Sequence, residues 1–447
     1  MLEPNVKFTP NQAGLNIAYS ALGTGPPDLV WVPNFTSHVD AWWLLPQAAE
    51  FIDAMVSIGR IIQFDQPGTG ASDPVPPDAL PTMEQWMDDV RVVLDAEGVD
   101  RATLIAEDAG GPVALLFAAS HPERTERLVL MNSFARMERA PDYPWGFPPE
   151  VRERALDMWI DLWGTGRQLA ITAPAYAADP ELRRSYALVE RLSAPPSIAR
   201  ALFQMIAGID VRDVLPSVRV PTLVLHRVDD PWIRIGHGRY LAEQIPDAEL
   251  VELPGDAHYA TIIGDRKEIV GRIAEFVTGV HREAHDVNRV LATLLYTDIV
   301  DSTGRAARLG DAAWRKVLDE HDRVAGRQIE SFRGRLIKST GDGVLATFDG
   351  PARAVRCARA MRDALGGFDI EIRAGLHTGE VELRGEDVGG IAAHVAARVM
   401  HSAGPGEVLV SQTVKDLTIG SGIDYEDRGA HELKGVPGEW RLYVPVS

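Results

Sequence analysis

A single cysteine, Cys357, stands among 447 residues, which excludes an intramolecular disulfide and any cysteine-built zinc cluster. Basic residues are short as well. With 45 Lys plus Arg against 64 Asp plus Glu, the formal net charge is -19, so neither nucleic-acid phosphates nor anionic lipid is an expected partner over a broad surface. A small phosphorylated ligand fits only where cations or metal ions are placed locally. No run approaches the roughly 18 apolar residues of a spanning helix, and the start MLEPNVKFTP lacks a basic segment followed by an apolar one. These absences lead us to expect a cytoplasmic protein with no membrane partner. Repeats and low-complexity tracts are missing too. What is present is length, enough for two or three domains that each bury a core.

From residue 15 to about 280, short apolar runs alternate with helical patterns. DLVWVPNF, RIIQFDQPGTG, RATLIAEDAGG, ERLVLMNSF, PTLVLHRVDD and AELVELPGDAH read as buried strands ending in turn residues. Strand and helix in alternation imply a parallel sheet covered by helices. Residues 135–215 break the rhythm with Pro-punctuated helical sequence such as VRERALDMWIDLWG and SIARALFQMIAGI, a candidate cap over the sheet. The expected division is a first domain at 1–280, a polar linker at 281–289 (HREAHDVNR) and a second domain at 290–447. In the second domain a strand, VLATLLYTDIV, precedes a helix near 311–331, a hairpin, a helix near 351–365, the strand IEIRAGLHTGEV and a helix near 391–403. That β-α-β-β-α-β order belongs to ferredoxin-like α+β folds.

In KSTGDGVLATF, Asp342 occupies a Gly-Asp-Gly turn, while Asp298 lies at the end of the strand in LLYTDIVDST. Each alone reads as a turn residue or a helix cap. Should the two strands be neighbours, the carboxylates converge at one sheet edge, where hard oxygen ligands suit a pair of Mg²⁺ ions about 4 Å apart.

The stretches TDIVDST, IKSTGDGVLATF, RAGLHTGEVELRGEDVGGIAAHVAARVM and HELKGVPGEWRLYVPV, in that order, resemble the class III nucleotide cyclase catalytic domain over about residues 288–445. The resemblance implies two Mg²⁺ or Mn²⁺ ions per active site, held by Asp298, Asp342 and the Ile299 carbonyl. It places Lys338 and Asp387 at the purine, where an ammonium can donate to adenine N1 and a carboxylate can accept from the exocyclic amine, so ATP is the expected substrate. Arg398 falls where the family neutralises phosphate charge during attack by the ribose 3′-oxygen. His394, four residues earlier on the same helical face, stands where the family usually has Asn to orient the ribose. The resemblance further implies a head-to-tail homodimer, one subunit giving the metal acids and its partner the purine and phosphate groups.

LIAEDAGGPVALLFAASHPERTERLVLMN resembles the nucleophile elbow of the α/β-hydrolase fold, and the likeness spans about residues 14–278. The central residue is Asp108 rather than Ser, which removes a serine esterase mechanism. HRVDDPWI and GDAHYATI place Asp230 as orienting acid, with Asp229 its competitor, and His258 as base. An elbow Asp is what epoxide hydrolases and haloalkane dehalogenases use, but both commonly follow it with Trp where this chain has Ala109. The usual His-Gly of the oxyanion loop is replaced by Pro33-Asn34, leaving the N–H groups of Phe35 and Ala109 as candidates. Glu107 is expected to point away from the site, and Tyr143, Tyr176 and Tyr186 to pack within the cap. The expected protein is an adenylate cyclase whose hydrolase-like domain senses a small apolar ligand. Its rivals are a non-catalytic nucleotide-binding regulator and a bifunctional protein with an Asp-nucleophile hydrolase.

Overall fold

In the computed structural model, residues 4–264, 266–279, 289–384 and 387–446 are described. The chain divides into two compact units, Met1–Val287 and Asn288–Ser447. The expected linker at 281–289 lies outside the described residues except for Arg289, which opens a strand.

The first unit holds β1 (Lys7–Pro10), β2 (Asn16–Leu22), β3 (Asp28–Val32), β4 (Arg60–Phe64), β5 (Ala102–Glu107), β6 (Thr125–Met131), β7 (Thr222–Arg227) and β8 (Glu249–Leu253) in one sheet ordered β1-β2-β4-β3-β5-β6-β7-β8. From β4 onward all neighbours pair in parallel. All six residues of β5 and of β7 are buried, as continuous apolar runs covered on both faces require. The antiparallel pairings of β1 with β2 and of β2 with β4 are an addition to the sequence reading, since neither edge strand is a long apolar run. Between β6 and β7 the helices Arg152–Leu162, Pro180–Ser193 and Pro196–Ala207 form the cap. Pro opens two of them where a missing N–H costs nothing, and the Asp179 side chain caps the second by accepting from the Glu181 and Leu182 amides.

The second unit builds its sheet around β9 (Arg289–Ile299), flanked by β11 (Val344–Phe348) and β12 (Ile372–Arg384), both antiparallel to it. β10 (Arg335–Ser339) pairs with β11, and β13 (Asp387–Gly389) folds back on β12. The strands β14 (Val408–Ser411), β15 (Tyr425–Glu432) and β16 (Glu439–Pro445) extend the other side in the order β12-β14-β16-β15. Successive residues of β9 serve opposite faces, as the strand period of two dictates. Leu295 and Ile299 pack against Val324, Met361 and Leu365 of the helices Asp311–Ser331 and Pro351–Gly366. Leu294 packs against Val381, Ala392 and Ala396, so the helix Ile391–Ser402 covers the other face. The result is a ferredoxin-like α+β core extended by three strands.

Candidate functional sites

β5 ends at Glu107 and a helix begins at Gly110, so the chain reverses through Asp108 with φ at 52°. Asp tolerates this left-handed conformation better than most residues. The turn is tight. A Cβ at Gly110 would come 2.5 Å from the Val32 carbonyl oxygen, and one at Gly111 would come 1.8 Å from Ser133 Oγ, which itself donates to the Asp108 carbonyl at 2.7 Å.

His258 bridges two acids inside this unit: Nδ1 lies 2.8 Å from Asp230 Oδ2, and Nε2 lies 3.6 Å from Asp108 Oδ1. All three residues are buried. Asp229 is exposed and does not meet the histidine. The other oxygen of Asp230 accepts from the Trp232 and Ile233 amides at 2.8 and 2.9 Å, which fixes the carboxylate. Burial works against charge on the imidazole, but the Asp230 and Asp108 carboxylates outweigh it and push His258 up to about 10. The two acids on either side thus favour the protonated form of the imidazole between them. An imidazolium donates a proton; it cannot accept one.

Glu107 does turn away from Asp108, but toward the loop that carries the histidine. It accepts from the Ala260 amide at 2.8 Å and from Thr261 Oγ1 at 3.0 Å. Burial, the largest influence, pushes its carboxyl up to about 7. Arg227 donates to the Ala257 and Ile263 carbonyls, Asn132 to the His258 carbonyl, and the His258 amide to the Thr172 carbonyl of the cap at 2.7 Å. Sequence reasoning missed Arg227, Asn132 and Thr172, because their partners are backbone groups with no sequence signal. The cap tyrosines separate into three situations. Tyr143 bonds His237 Nδ1 at 2.7 Å, Tyr176 is exposed, and Tyr186 is buried with its ring centroid 5.7 Å from that of Tyr259. The Tyr186 hydroxyl lies beside Tyr259 without completing a hydrogen bond, and His258 Nε2 is likewise buried without one. The Phe35 and Ala109 amides also make no hydrogen bond among the described residues.

In the second unit, pairing of β9 with β11 brings the turn that carries Asp342 against the end of β9. The Ile299 amide donates to the Asp342 carbonyl at 2.8 Å, and a Cβ on Gly343 would stand 1.8 Å from the Thr297 carbonyl oxygen. Only glycine permits that approach. The Asp298 carboxylate is held by Arg373, with Nη2 at 2.5 Å and Nε at 3.1 Å, and Asp342 accepts from Ser302 Oγ at 2.5 Å. Arg373 was not among the sequence candidates; it is opposite Asp298 only through the β9–β12 register. Among the described residues no group of three or more His, Cys, Asp or Glu side chains is arranged to hold a metal ion. The backbone contact between Ile299 and Asp342 does bring the two acid-bearing segments together, and carboxylate and carbonyl oxygens are the donor type that a hard divalent cation takes.

Lys338 Nζ lies 2.8 Å from both Asp387 oxygens, joining β10 to β13 in one chain. That contact, led by the hydrogen bond that Lys338 donates to Asp387, raises the lysine pKa. His394 is exposed and Arg398 half-buried on the helix Ile391–Ser402. Neither makes a side-chain contact with Asp298, Asp342, Lys338 or Asp387 among the described residues.

Comparison with known proteins separates the two units in the same way. The family described as alpha/beta hydrolase fold matches residues 33–265, and the family described as adenylate and guanylate cyclase catalytic domain matches residues 284–445. The chain is similar to the "Putative carbamate hydrolase RutD" of Caulobacter sp. (strain K31), at 29% identity over 47% of this chain and 78% of that protein. It is similar to "Putative adenylate cyclase 3" of Rhizobium meliloti (strain 1021), at 31% identity over 34% of this chain but 27% of that protein. Among solved structures, a hydrolase from Pseudomonas aeruginosa PA01 is 25% identical with a TM-score of 0.50, covering 62% of this chain and 99% of that one.

Proposed function

For a chain that belongs to the alpha/beta hydrolase fold family and carries a class III cyclase domain at its C-terminal end, we propose the activity of an adenylate cyclase, making 3′,5′-cyclic AMP and pyrophosphate from ATP. The N-terminal unit is its ligand-sensing regulator. The observation that carries the choice of ATP is the Lys338–Asp387 pair, a donor and an acceptor 2.8 Å apart. Position for position, adenine offers an acceptor at N1 and a donor at its amine, while guanine offers the reverse.

Asp298, Asp342 and the Ile299 carbonyl would hold Mg²⁺ or Mn²⁺. When bound, such ions supply counter-charge to the triphosphate and acidify the attacking 3′-hydroxyl. The chain's own residues bind and orient. Arg373, engaged with Asp298 in the free chain, is positioned to turn to phosphate oxygens once that carboxylate is otherwise occupied. Lys338 and Asp387 give up each other for the adenine edge, a modest cost because both are about half exposed, at 47% and 53%. His394 donates to the ribose, and Arg398 neutralises charge that grows on the phosphates. The absence of contact between Arg398 and the two acids within one chain supports a site shared by two subunits of a homodimer.

Purified full-length protein supplied with ATP and Mn²⁺ should release cyclic AMP. The double change Lys338→Glu with Asp387→Cys should lower the ATP to GTP preference about tenfold or more. A protein that binds ATP but gives no cyclic product would be a nucleotide-binding regulator instead.

A further inference from the structure

We propose that the N-terminal unit binds neutral esters or lactones and keeps them intact, because a carboxylate, Asp108, stands where a hydroxyl nucleophile would cleave them. This rests on the reading of that unit as ligand-sensing and is independent of the cyclase assignment.

The site is rich in hydrogen-bond donors that lack acceptors. The Phe35 and Ala109 amides flank the elbow without partners, and the Tyr186 hydroxyl is buried without one, while His258 Nε2 faces Asp108. Burying such groups unmatched costs free energy, so an acceptor oxygen is the complementary occupant. A carbonyl oxygen meets this need. A carboxylate ligand does not, since Asp108, Asp230 and Glu107 already place three carboxyl groups around His258. Leu169, Ala173 and Leu182 of the cap pack against Ala257 and Ile262, so the cover over the elbow is apolar, as an uncharged ligand requires.

Turnover fails at a specific step. Attack by an Asp108 oxygen on the carbonyl carbon would give a tetrahedral adduct with two ways to collapse. Losing the carboxylate again is easier than losing an alkoxide, because the carboxylate is the far weaker base, so the ester is regenerated. Nor can His258 help as a base while it holds its proton between Asp230 and Asp108. With serine at position 108 one carboxylate disappears and the imidazole can deprotonate. The Ser oxygen then bonds to the carbonyl carbon, His258 passes the proton to the departing alkoxide, and water releases the acid. The His258 amide bond to Thr172 ties the same histidine to the cap.

The test uses the full chain and its Asp108→Ser variant with ethyl butyrate and γ-butyrolactone as probes. The native chain should show a saturable rise in melting temperature with at least one probe and no acid release in a pH-stat. Asp108→Ser should release acid about 100-fold faster than the native chain, and adding His258→Ala should abolish the gain. Hydrolysis by the native chain at the rate of the variant would overturn the proposal. So would a variant that melts like the native chain yet cleaves neither probe. If Asp108→Ser does not fold, the native chain decides alone: no saturable shift with either probe sinks the idea, as does a covalent mass adduct on Asp108 that turns over with styrene oxide.

Discussion

The two units treat charge in opposite ways. Asp108, His258 and Asp230 are enclosed, each within 4 % of full burial, and every charge is matched inside one chain. The groups proposed for the cyclase are partly or largely open to solvent, and in the free chain each acid has a partner of its own: Arg373 for Asp298, Ser302 for Asp342, Lys338 for Asp387. Burial explains the difference. Breaking a buried pair strands a charge at a cost of about 3–5 kcal/mol, whereas an exposed pair is worth about 0–1 kcal/mol and yields to a ligand. A buried constellation must therefore match its charges within itself, even where neutral donors stay open, and an exposed one can leave its charges to substrate or a second subunit.

The sharpest way to break this contrast is to remove an acid from each unit. Asp298→Ala or Asp342→Ala should lower cyclase activity by about a thousandfold or more while the melting temperature moves little, because the loss is of phosphate counter-charge. Asp230→Ala should do the reverse in its own unit, destabilising it by about 3–5 kcal/mol as His258 loses its fixed partner. Chemical denaturation and a cyclic AMP assay on the three variants decide; a strongly destabilised Asp298→Ala chain would refute the contrast.

Next in size is recovery by mixing. Inactive Asp298→Ala and Arg398→Ala chains should together regain up to about a quarter of native activity, since half the dimers are mixed and one of their two sites has both native groups. No recovery despite demonstrated subunit exchange would place all the groups in one chain.

The smallest effect is on pH dependence. His258 is raised from its ordinary 6.5 to about 10, against the pull of burial, by the two carboxylates. The folded state keeps a proton that the unfolded chain gives up, so this stabilisation is complete below pH 6.5 and drains away as pH rises toward 10. Glu107, raised to about 7 chiefly by burial, adds a loss of the same sign as pH climbs from its ordinary 4.5 through 7. In the second unit burial holds His377 down at about 4 and pushes the Cys357 thiol up from 9.0 to about 12, so neither changes its contribution much between pH 7 and 8.5. Across that window the first unit should lose about 1.4 kcal/mol per pH unit, and the second should stay nearly level. Peptide-resolved hydrogen exchange reads both at once, and a first unit as level as the second would mean that His258 is neutral in the folded chain.

By itself the sequence determined the fold classes, because short apolar runs alternating with helices stack as a covered parallel sheet, and the four stretches of the second half keep their order along the chain; the last of the six runs expected to be buried is instead the edge strand β8, where only Leu253 is enclosed. It determined the elbow too: Ala106 and Gly110, two places to either side of Asp108, are the small residues that a tight left-handed reversal needs. What only the tertiary structure decided is which groups meet. Asp230 rather than Asp229 reaches His258, since one of two adjacent acids must turn inward at the end of β7. Glu107 holds the histidine loop from a distance of 153 residues, and Arg373 faces Asp298 across 75. Such partners are invisible along the chain because strand register and the closure of a buried charge are set by packing across the sheet, where sequence separation carries no information.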